Sequence, residues 1–128
     1  MSYYFNTLVN VDFEQAIDKV KEELKKEGFG VLTEIDVKDT FRKKLDIDFR
    51  NYRILGACNP TFAHRALQTE EKVGVMLPCN VVVEEREPGK VDVTAVDPVA
   101  SMSAIPNKDL ESIAGDVREK LKRVVSNL

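Results

Sequence analysis

The sequence of 128 residues contains only two cysteines, six glycines and five prolines. Two cysteines are too few for the disulfide framework of a small secreted protein, so we interpret Cys58 and Cys79 as reduced thiols. The scarcity of glycine and proline, with 43% hydrophobic and 32% charged residues, excludes a disordered or repetitive chain. We expect one domain over residues 1–128, because a single core does not divide at this length.

The sequence also lacks an excess of positive charge and a long hydrophobic run. Its 19 basic and 22 acidic residues give a net charge of −3, whereas nonspecific nucleic-acid binding requires a broad cationic surface. No apolar run approaches the length of a membrane span, and residues 1–6 lack the basic and apolar parts of a secretory signal. We therefore expect a cytoplasmic protein with neither a nucleic-acid partner nor a membrane partner.

The hydrophobic pattern predicts strands and helices in the order β-α-β-(short α)-β-α-β-β-α. Strands are predicted where apolar and polar residues alternate, and helices where apolar residues recur at intervals of three or four. A single apolar stripe from Leu110 to Leu128 makes the last helix the clearest element. The predicted strands cover residues 3–11, 31–38, 52–58, 75–87 and 91–95.

Polar residues that can accept a backbone hydrogen bond predict where the helices begin. Asp12 and Gln15 have the spacing of a capping box at the start of the first helix. Asn59 followed by Pro60 predicts the start of the third helix, because proline at the first helical position loses only an amide that has no partner there. The other predicted N-caps are Asp39 or Thr40 for the short second helix and Asn107 for the last one.

The segment Glu87-Pro88-Gly89-Lys90 is a strong turn signal between the last two predicted strands, and it indicates an antiparallel hairpin. We therefore predict an α+β fold, with a mixed or mainly antiparallel sheet of about five strands and helices packed on one face. Apolar residues on the other face would need a cover, and the simplest cover is a second copy, so we expect a homodimer. These apolar residues are Leu8, Leu32, Met76 and Val82.

Two short segments, residues 56–60 and 77–80, contain the features that could carry chemistry. In each segment a cysteine is followed by asparagine and lies close to a proline. Cys58 immediately precedes the predicted N-cap of a helix, where free amides and the helix dipole favour a thiolate. Pro78 has no amide for a sheet ladder, which predicts an edge or a bulge where side chains are free to meet a ligand.

These segments resemble the family of small bacterial and archaeal proteins catalogued as the domain of unknown function 302. The resemblance lies in Tyr52–Pro60 with the alanines at 63 and 66, in residues 74–84, which include Leu77-Pro78-Cys79-Asn80, and in Val96-Asp97-Pro98. It implies an α+β sheet covered by helices, a tendency to form dimers and no settled biochemical role. Met76 departs from the family pattern, in which an aliphatic residue is usual.

Our main functional hypothesis is a small-ligand-binding or assembly module whose pocket lies between the sheet and the helices. The residues expected at this pocket are Cys58, Asn59, Cys79, Asn80 and Asp97, because both cysteines lie beside short polar side chains at strand ends and turns. Each asparagine and the aspartate also has a purely structural interpretation, as a helix cap or a turn residue.

The alternative hypothesis is thiol-based redox or metal chemistry at Cys58 and Cys79, with His64 or Asp97 as a further ligand. The cysteine spacing matches neither a zinc finger nor a Cys-x-x-Cys redox motif, and the sequence has no second histidine to act as a base. We therefore assign no metal site, and the residue types leave open whether the protein uses a cofactor and whether it is an enzyme.

Overall fold

The computed structural model describes residues 2–128, so Met1 of the expected domain lies outside the described residues. These residues form five strands, five helices and a 3₁₀ segment, Glu71–Met76. The strands are β1 (Tyr4–Val9), β2 (Gly30–Asp36), β3 (Tyr52–Cys58), β4 (Cys79–Glu87) and β5 (Lys90–Val96). The helices are α1 (Phe13–Lys26), α2 (Val37–Leu45), α3 (Pro60–Thr69), α4 (Pro98–Ser101) and α5 (Lys108–Ser126).

The strands form one sheet in the order β1-β5-β4-β3-β2, and every neighbouring pair is antiparallel. The predicted α+β class and the sheet of five strands are therefore confirmed. Gly89 lies in the turn between β4 and β5 with a φ of +81°, a left-handed conformation that glycine adopts without strain. β4 is the central strand, and β1 and β2 are the edges of the sheet.

One face of the sheet packs against α1 and α5 and forms the main core. Leu55 of β3 and Val81 of β4 are fully buried there, and they alternate with residues that point to the opposite face. None of the helices in residues 2–128 has both the length and the hydropathy needed to cross a membrane. The stripe that α1 buries is the one its spacing predicts: Phe13, Ala16, Ile17, Val20 and Leu24.

Three of the predicted helix starts are confirmed. The Asp12 carboxylate accepts a hydrogen bond from the Gln15 amide at 2.8 Å, and the Gln15 side chain accepts one from the Asp12 amide, which completes the capping box. Asn59 caps α3 with Pro60 at its first position, and Asn107 caps α5. These caps form as predicted because they depend only on residues within one turn of each other.

The predicted cap of the short helix at Asp39 or Thr40 is wrong, because the helix begins three residues earlier. The Asp36 carboxylate accepts a hydrogen bond from the Asp39 amide at 3.0 Å, and α2 begins at Val37. Asp36 is also the last residue of β2. The chain therefore passes from strand to helix without a loop, and the strand ends two residues before the end of the predicted range of 31–38.

The predicted strand over residues 75–87 is wrong in its first part. Residues 71–76 form a 3₁₀ segment in which the Leu77 amide donates to the Gly74 carbonyl, so Met76 lies outside the sheet. β4 begins only at Cys79, immediately after Pro78. A proline has no amide to donate to a neighbouring strand, which explains why the ladder starts after it and not before it.

The segment after Asp97, which the sequence predicts to be irregular, begins with the short helix α4. The Asp97 carboxylate accepts a hydrogen bond from the Val99 amide at 3.0 Å, and Pro98 occupies the first helical position. The residue types that predict an Asp-Pro turn are thus the same ones that start this helix.

The face of the sheet opposite the main core is partly apolar and carries exposed side chains. Leu8 on β1 is 51% exposed and Ile35 on β2 is 48% exposed. We call this surface the open face. By strand alternation and register it includes Tyr4, Asn6, Leu8, Thr33, Ile35, Ile54, Gly56, Asn80, Val82, Glu84, Asp92 and Thr94.

Candidate functional site: an apolar cavity

A cavity of about 300 Å³ lies between α3, α5 and the adjoining ends of β3 and β4. It reaches the surface near Leu32 and Leu67, which are 68% and 45% exposed although both line it. Most of the lining is hydrocarbon. The other lining residues are Phe29, Ala57, Cys58, Asn59, Phe62, Ala63, Ala66, Leu77, Pro78, Cys79, Pro98, Met102, Ile113, Ala114 and Val117.

The cavity exists because small side chains face one another where larger ones would fill the space. Ala63 and Ala66 line it from α3, Ala114 from α5 and Ala57 from β3. Each of these side chains ends at Cβ, so the two helices and the sheet can be fully packed around them and still leave a void. The sequence pattern shows these alanines only as part of apolar stripes, which do not distinguish a filled core from a cavity wall.

Asn59 holds the start of α3 against the end of α1. Its Oδ1 atom accepts a hydrogen bond from the Phe62 amide at 3.5 Å, and its Nδ2 atom donates to the Glu27 carbonyl oxygen at 3.3 Å. Both ends of the amide side chain are therefore occupied by backbone partners. Asn59 lines the cavity as predicted, but its polar groups point to structural partners and not to an empty site.

Cys58 and Cys79 lie on neighbouring strands and both line the cavity. Cys79 is paired across the ladder with Ala57, the residue before Cys58. Burial raises the pKa of the Cys79 thiol to about 11, and the nearby Cys58 adds to this rise. Cys79 is consequently a neutral thiol at physiological pH. Cys79 is buried, and Cys58 is half-buried at the end of β3.

Asn80 and Asp97, the other two predicted site residues, lie outside the cavity lining. Asn80 is exposed on the open face, opposite Gly56 in the ladder. Asp97 is buried, and its carboxylate accepts hydrogen bonds from the Val99 amide and from Nε of Arg118, the latter at 3.1 Å. Asp97 thus positions α4 and α5, and its neighbour Pro98 reaches the cavity wall.

Several lining residues escaped the sequence analysis because no local signal marks them. Phe29 follows α1 and Met102 follows α4, whereas Ile113 and Val117 lie on α5 with the spacing of ordinary core residues. His64 is exposed on α3 and lies outside the lining. Within residues 2–128, no group of three or more Cys, His, Asp and Glu side chains could hold a metal ion.

The antiparallel sheet, its covering helices and the cavity between them define a small α+β protein with an apolar internal site. The model of the family described as Domain of unknown function DUF302 matches residues 5–128, and the chain belongs to this family. The chain is also similar to the uncharacterized conserved protein DUF302 from Bacillus stearothermophilus, known from a crystal structure. The two have 30% sequence identity and a TM-score of 0.90, with 98% of each chain covered. A search of curated proteins finds no match.

Proposed function

We propose that this protein, as one domain, binds a small apolar molecule in the cavity between α3, α5 and the sheet. The observation that carries the proposal is a cavity of about 300 Å³ that reaches the surface and is lined almost entirely by hydrocarbon and sulfur. This volume falls at the lower end of the range for small-molecule sites, roughly 300 to 1,000 Å³. It suits a ligand with up to three rings or a short hydrocarbon chain.

The chemistry of the lining indicates a neutral ligand. Asn59 contributes the amide of the lining, and both of its ends are bonded to backbone groups. Among residues 2–128, every buried side-chain nitrogen or oxygen already has a hydrogen-bond partner. A charged group placed in the cavity would lose its hydration without gaining a partner, which costs several kcal/mol or more. Recognition therefore depends on shape and apolar contact.

The test is binding of the neutral dye N-phenyl-1-naphthylamine, whose fluorescence rises in apolar surroundings. The expected result is saturable binding to the wild-type protein at one dye per chain. The charged analogue 8-anilinonaphthalene-1-sulfonate shares the rings of the neutral dye but carries a sulfonate. It should bind at least about tenfold more weakly, because a missing charge partner costs more than the 1.4 kcal/mol that corresponds to that factor.

The Ala63→Leu variant tests whether the dye occupies this cavity. Ala63 is a half-buried lining residue on α3, and leucine is a good helix former that would project into the void. We expect this variant to fold and to lose most dye binding. Ala104→Leu is the matched control, because Ala104 is exposed and outside the lining. Equal dye binding by both variants would refute the proposed site.

We also propose that the protein is a homodimer in which a second copy covers the open face. Leu8 and Ile35 are about half exposed at opposite edges of this face. Five strands spaced about 4.8 Å apart, with about six residues each, give a surface of roughly 500 Å² in plan. Side chains project from the sheet and add to this flat area. They bring the accessible surface towards the roughly 800 Å² that each partner buries in a standard interface.

The charged groups of the open face are already neutralised, which permits its burial. Glu84 accepts a hydrogen bond from Nε of Arg50 at 2.8 Å. Asp92 accepts one from Nδ2 of Asn6 at 2.7 Å and lies 3.8 Å from Arg86. Covering these carboxylates leaves each with a partner, so the penalty for burying an isolated charge does not arise.

Sedimentation velocity at high micromolar concentration tests the dimer. The wild type should sediment as a dimer, and Leu8→Glu should shift it to a monomer by placing an unpaired charge in the interface. Val75→Glu is the control, since Val75 is exposed on the 3₁₀ segment and away from the sheet. A wild-type monomer at these concentrations would refute the dimer.

The thiol alternative has one supporting observation, which is that both cysteines line the same cavity. Against it, the raised pKa of Cys79 keeps this thiol protonated at neutral pH, whereas metal binding and thiol exchange both require the thiolate. We therefore favour the binding function. Two free thiols also support our proposal of a cytoplasmic location, where thiols stay reduced.

A further inference from the structure

We infer that the second copy closes the mouth of the cavity, so that ligand binding and dimer formation strengthen each other. This inference rests on the proposed function and adds a partner to its site. It follows from where the mouth lies, which is at the junction between the cavity and the open face.

Leu32 lies where the mouth of the cavity meets the open face. It lines the cavity, and it is nevertheless 68% exposed. It lies at a bulge in β2 between two residues that face opposite sides of the sheet. Val31 pairs with Ala57, which faces the main core, and Thr33 pairs with Gly56, which faces the open side. The bulge thus places an apolar side chain at the boundary where the cavity opens.

Pro78, the residue before β4, marks the same boundary on the other side of β3. Its ring lines the cavity, and its Cγ atom lies 2.7 Å from where a Cβ atom on Gly56 would stand. Such a Cβ would point towards the open face, because the flanking Leu55 and Ala57 point into the core. Thr33 of β2 also lies next to this Cβ position. The rim formed by Leu32 and Pro78 is therefore continuous with the open face.

A second copy seated on the open face would consequently lie against this rim and remove it from water. A ligand in the cavity would then contact apolar atoms from both copies at its exposed end. By thermodynamic linkage, a dimer that binds the ligand more tightly is itself stabilised by that ligand. Because the dimer has two cavities, saturating ligand lowers the dimer dissociation constant by the square of the factor by which each cavity binds more tightly. Coupling between two binding events typically changes the affinity of one site by a factor between about 5 and 150.

The experiment measures the dissociation constant of N-phenyl-1-naphthylamine for the wild type, Leu8→Glu and Val75→Glu. Leu8 lies on β1, at the edge of the sheet opposite Leu32 on β2, so its substitution leaves the cavity lining intact. We expect the monomeric Leu8→Glu protein to bind the dye at least about fivefold more weakly than the wild type, and Val75→Glu to match the wild type. Circular dichroism confirms that the variants are folded.

Dilution of the wild type provides the same comparison without a substitution. The dye should bind more weakly below the dimer dissociation constant, and saturating dye should lower that constant by the square of the affinity factor, because each dimer holds two dyes. Equal dye affinity in the monomer and the dimer would overturn the inference and leave the proposed binding site intact. A wild type that does not bind the dye in either state would overturn the proposed function itself.

Discussion

The two cysteines of the cavity differ in burial. Cys79 is buried at the start of β4, and the cost of placing a thiolate there raises its pKa to about 11. Cys58 is half-buried at the end of β3. At the scale of single residues, the structure thus separates two thiols that have the same neighbours in the sequence, an asparagine after each and a proline nearby.

We predict that Cys79 reacts with iodoacetamide only at alkaline pH. In a Cys58→Ser variant the rate should be very low at pH 7 to 8 and should rise steeply above pH 10, because burial is the larger cause of the raised pKa and remains in this variant. The measurement is alkylation followed by mass spectrometry across this pH range. A Cys79→Ser variant serves as the comparison, and rapid alkylation of Cys79 at neutral pH would contradict the prediction.

An ion pair between α1 and α5 provides a second prediction at the residue scale. Glu27 follows the end of α1, where a negative charge is unfavourable to the helix dipole. Arg123 compensates, because its Nη2 donates to Oε1 of Glu27 at 2.9 Å. This hydrogen bond is the main reason that the pKa of Glu27 lies below its ordinary value of 4.5, and Lys120 contributes a further lowering.

Because the folded-state pKa is lowered, the pair stabilises the fold above pH 4.5 and loses this contribution as the pH falls through the folded-state value. Glu27→Gln should therefore reduce the free energy of unfolding by roughly 0.5 to 1 kcal/mol at pH 7, a small value because Arg123 is partly exposed. The difference from the wild type should vanish in acid. Urea unfolding at pH 7 and in acid measures this difference in the free energy of unfolding. Glu71→Gln is the control, because Glu71 is exposed. A difference that persists in acid would assign the effect to packing.

At the scale of elements, α3 depends on one side chain for its start and its position. Asn59 caps α3 and also donates to the carbonyl oxygen of Glu27 at the end of α1. Gly28, which follows Glu27, has a φ of +86°. It lies so close to the Asn59 side chain that a Cβ atom at position 28 would be 3.0 Å from Nδ2 of Asn59. The wall of the cavity on the α3 side is thus attached to α1 through this contact.

We predict that Asn59→Ala lowers the free energy of unfolding by about 1 kcal/mol, the usual cost of losing a helix cap. Asn59→Asp keeps an oxygen that can accept from the Phe62 amide, but it loses the donor to Glu27, so it should cost less than the alanine variant. The midpoint of urea unfolding measures both. Equal losses in the two variants would show that the contact to α1, and not the cap, carries the stabilisation.

The corrections at this scale have a common physical cause. Asp36 rather than Asp39 caps α2, and Pro78 divides residues 75–87 into a 3₁₀ segment and a strand. In both regions the residues are compatible with two local structures. Pairing with β3, which lies far away in the sequence, decides where β2 ends and where β4 begins. Local propensity contains no information about such pairing.

At the scale of the whole molecule, a ligand that binds the folded cavity must stabilise the entire fold. Such stabilisation equals about 1.4 kcal/mol when the free ligand is at ten times its dissociation constant. We predict that N-phenyl-1-naphthylamine raises the melting temperature of the wild type and of Ala104→Leu, but not that of Ala63→Leu. Differential scanning calorimetry measures the shift. An unchanged or lower wild-type melting temperature would show that the dye does not bind the folded protein in preference to the unfolded chain.

Much of the fold could be predicted because it depends on local patterns. The stripe of α1, the caps at Asp12 and Asn59 and the hairpin at Gly89 each involve residues within a few positions of one another. The candidate site was predicted only in part. Cys58, Asn59 and Cys79 line the cavity, whereas Asn80 points to the open face. Adjacent residues of a strand face opposite sides of the sheet, so Cys79 and Asn80 of β4 cannot both face the cavity.

The sequence by itself determined the class of the fold, the reduced state expected of the thiols and the family, since composition, periodicity and short motifs are properties of the chain alone. Only the tertiary structure decided that there is a cavity. Ala57, Ala63, Ala66 and Ala114 come from three different elements, and a void forms where short side chains from all of them meet. The volume left between packed elements depends on their distances in space, which no local pattern of residues specifies.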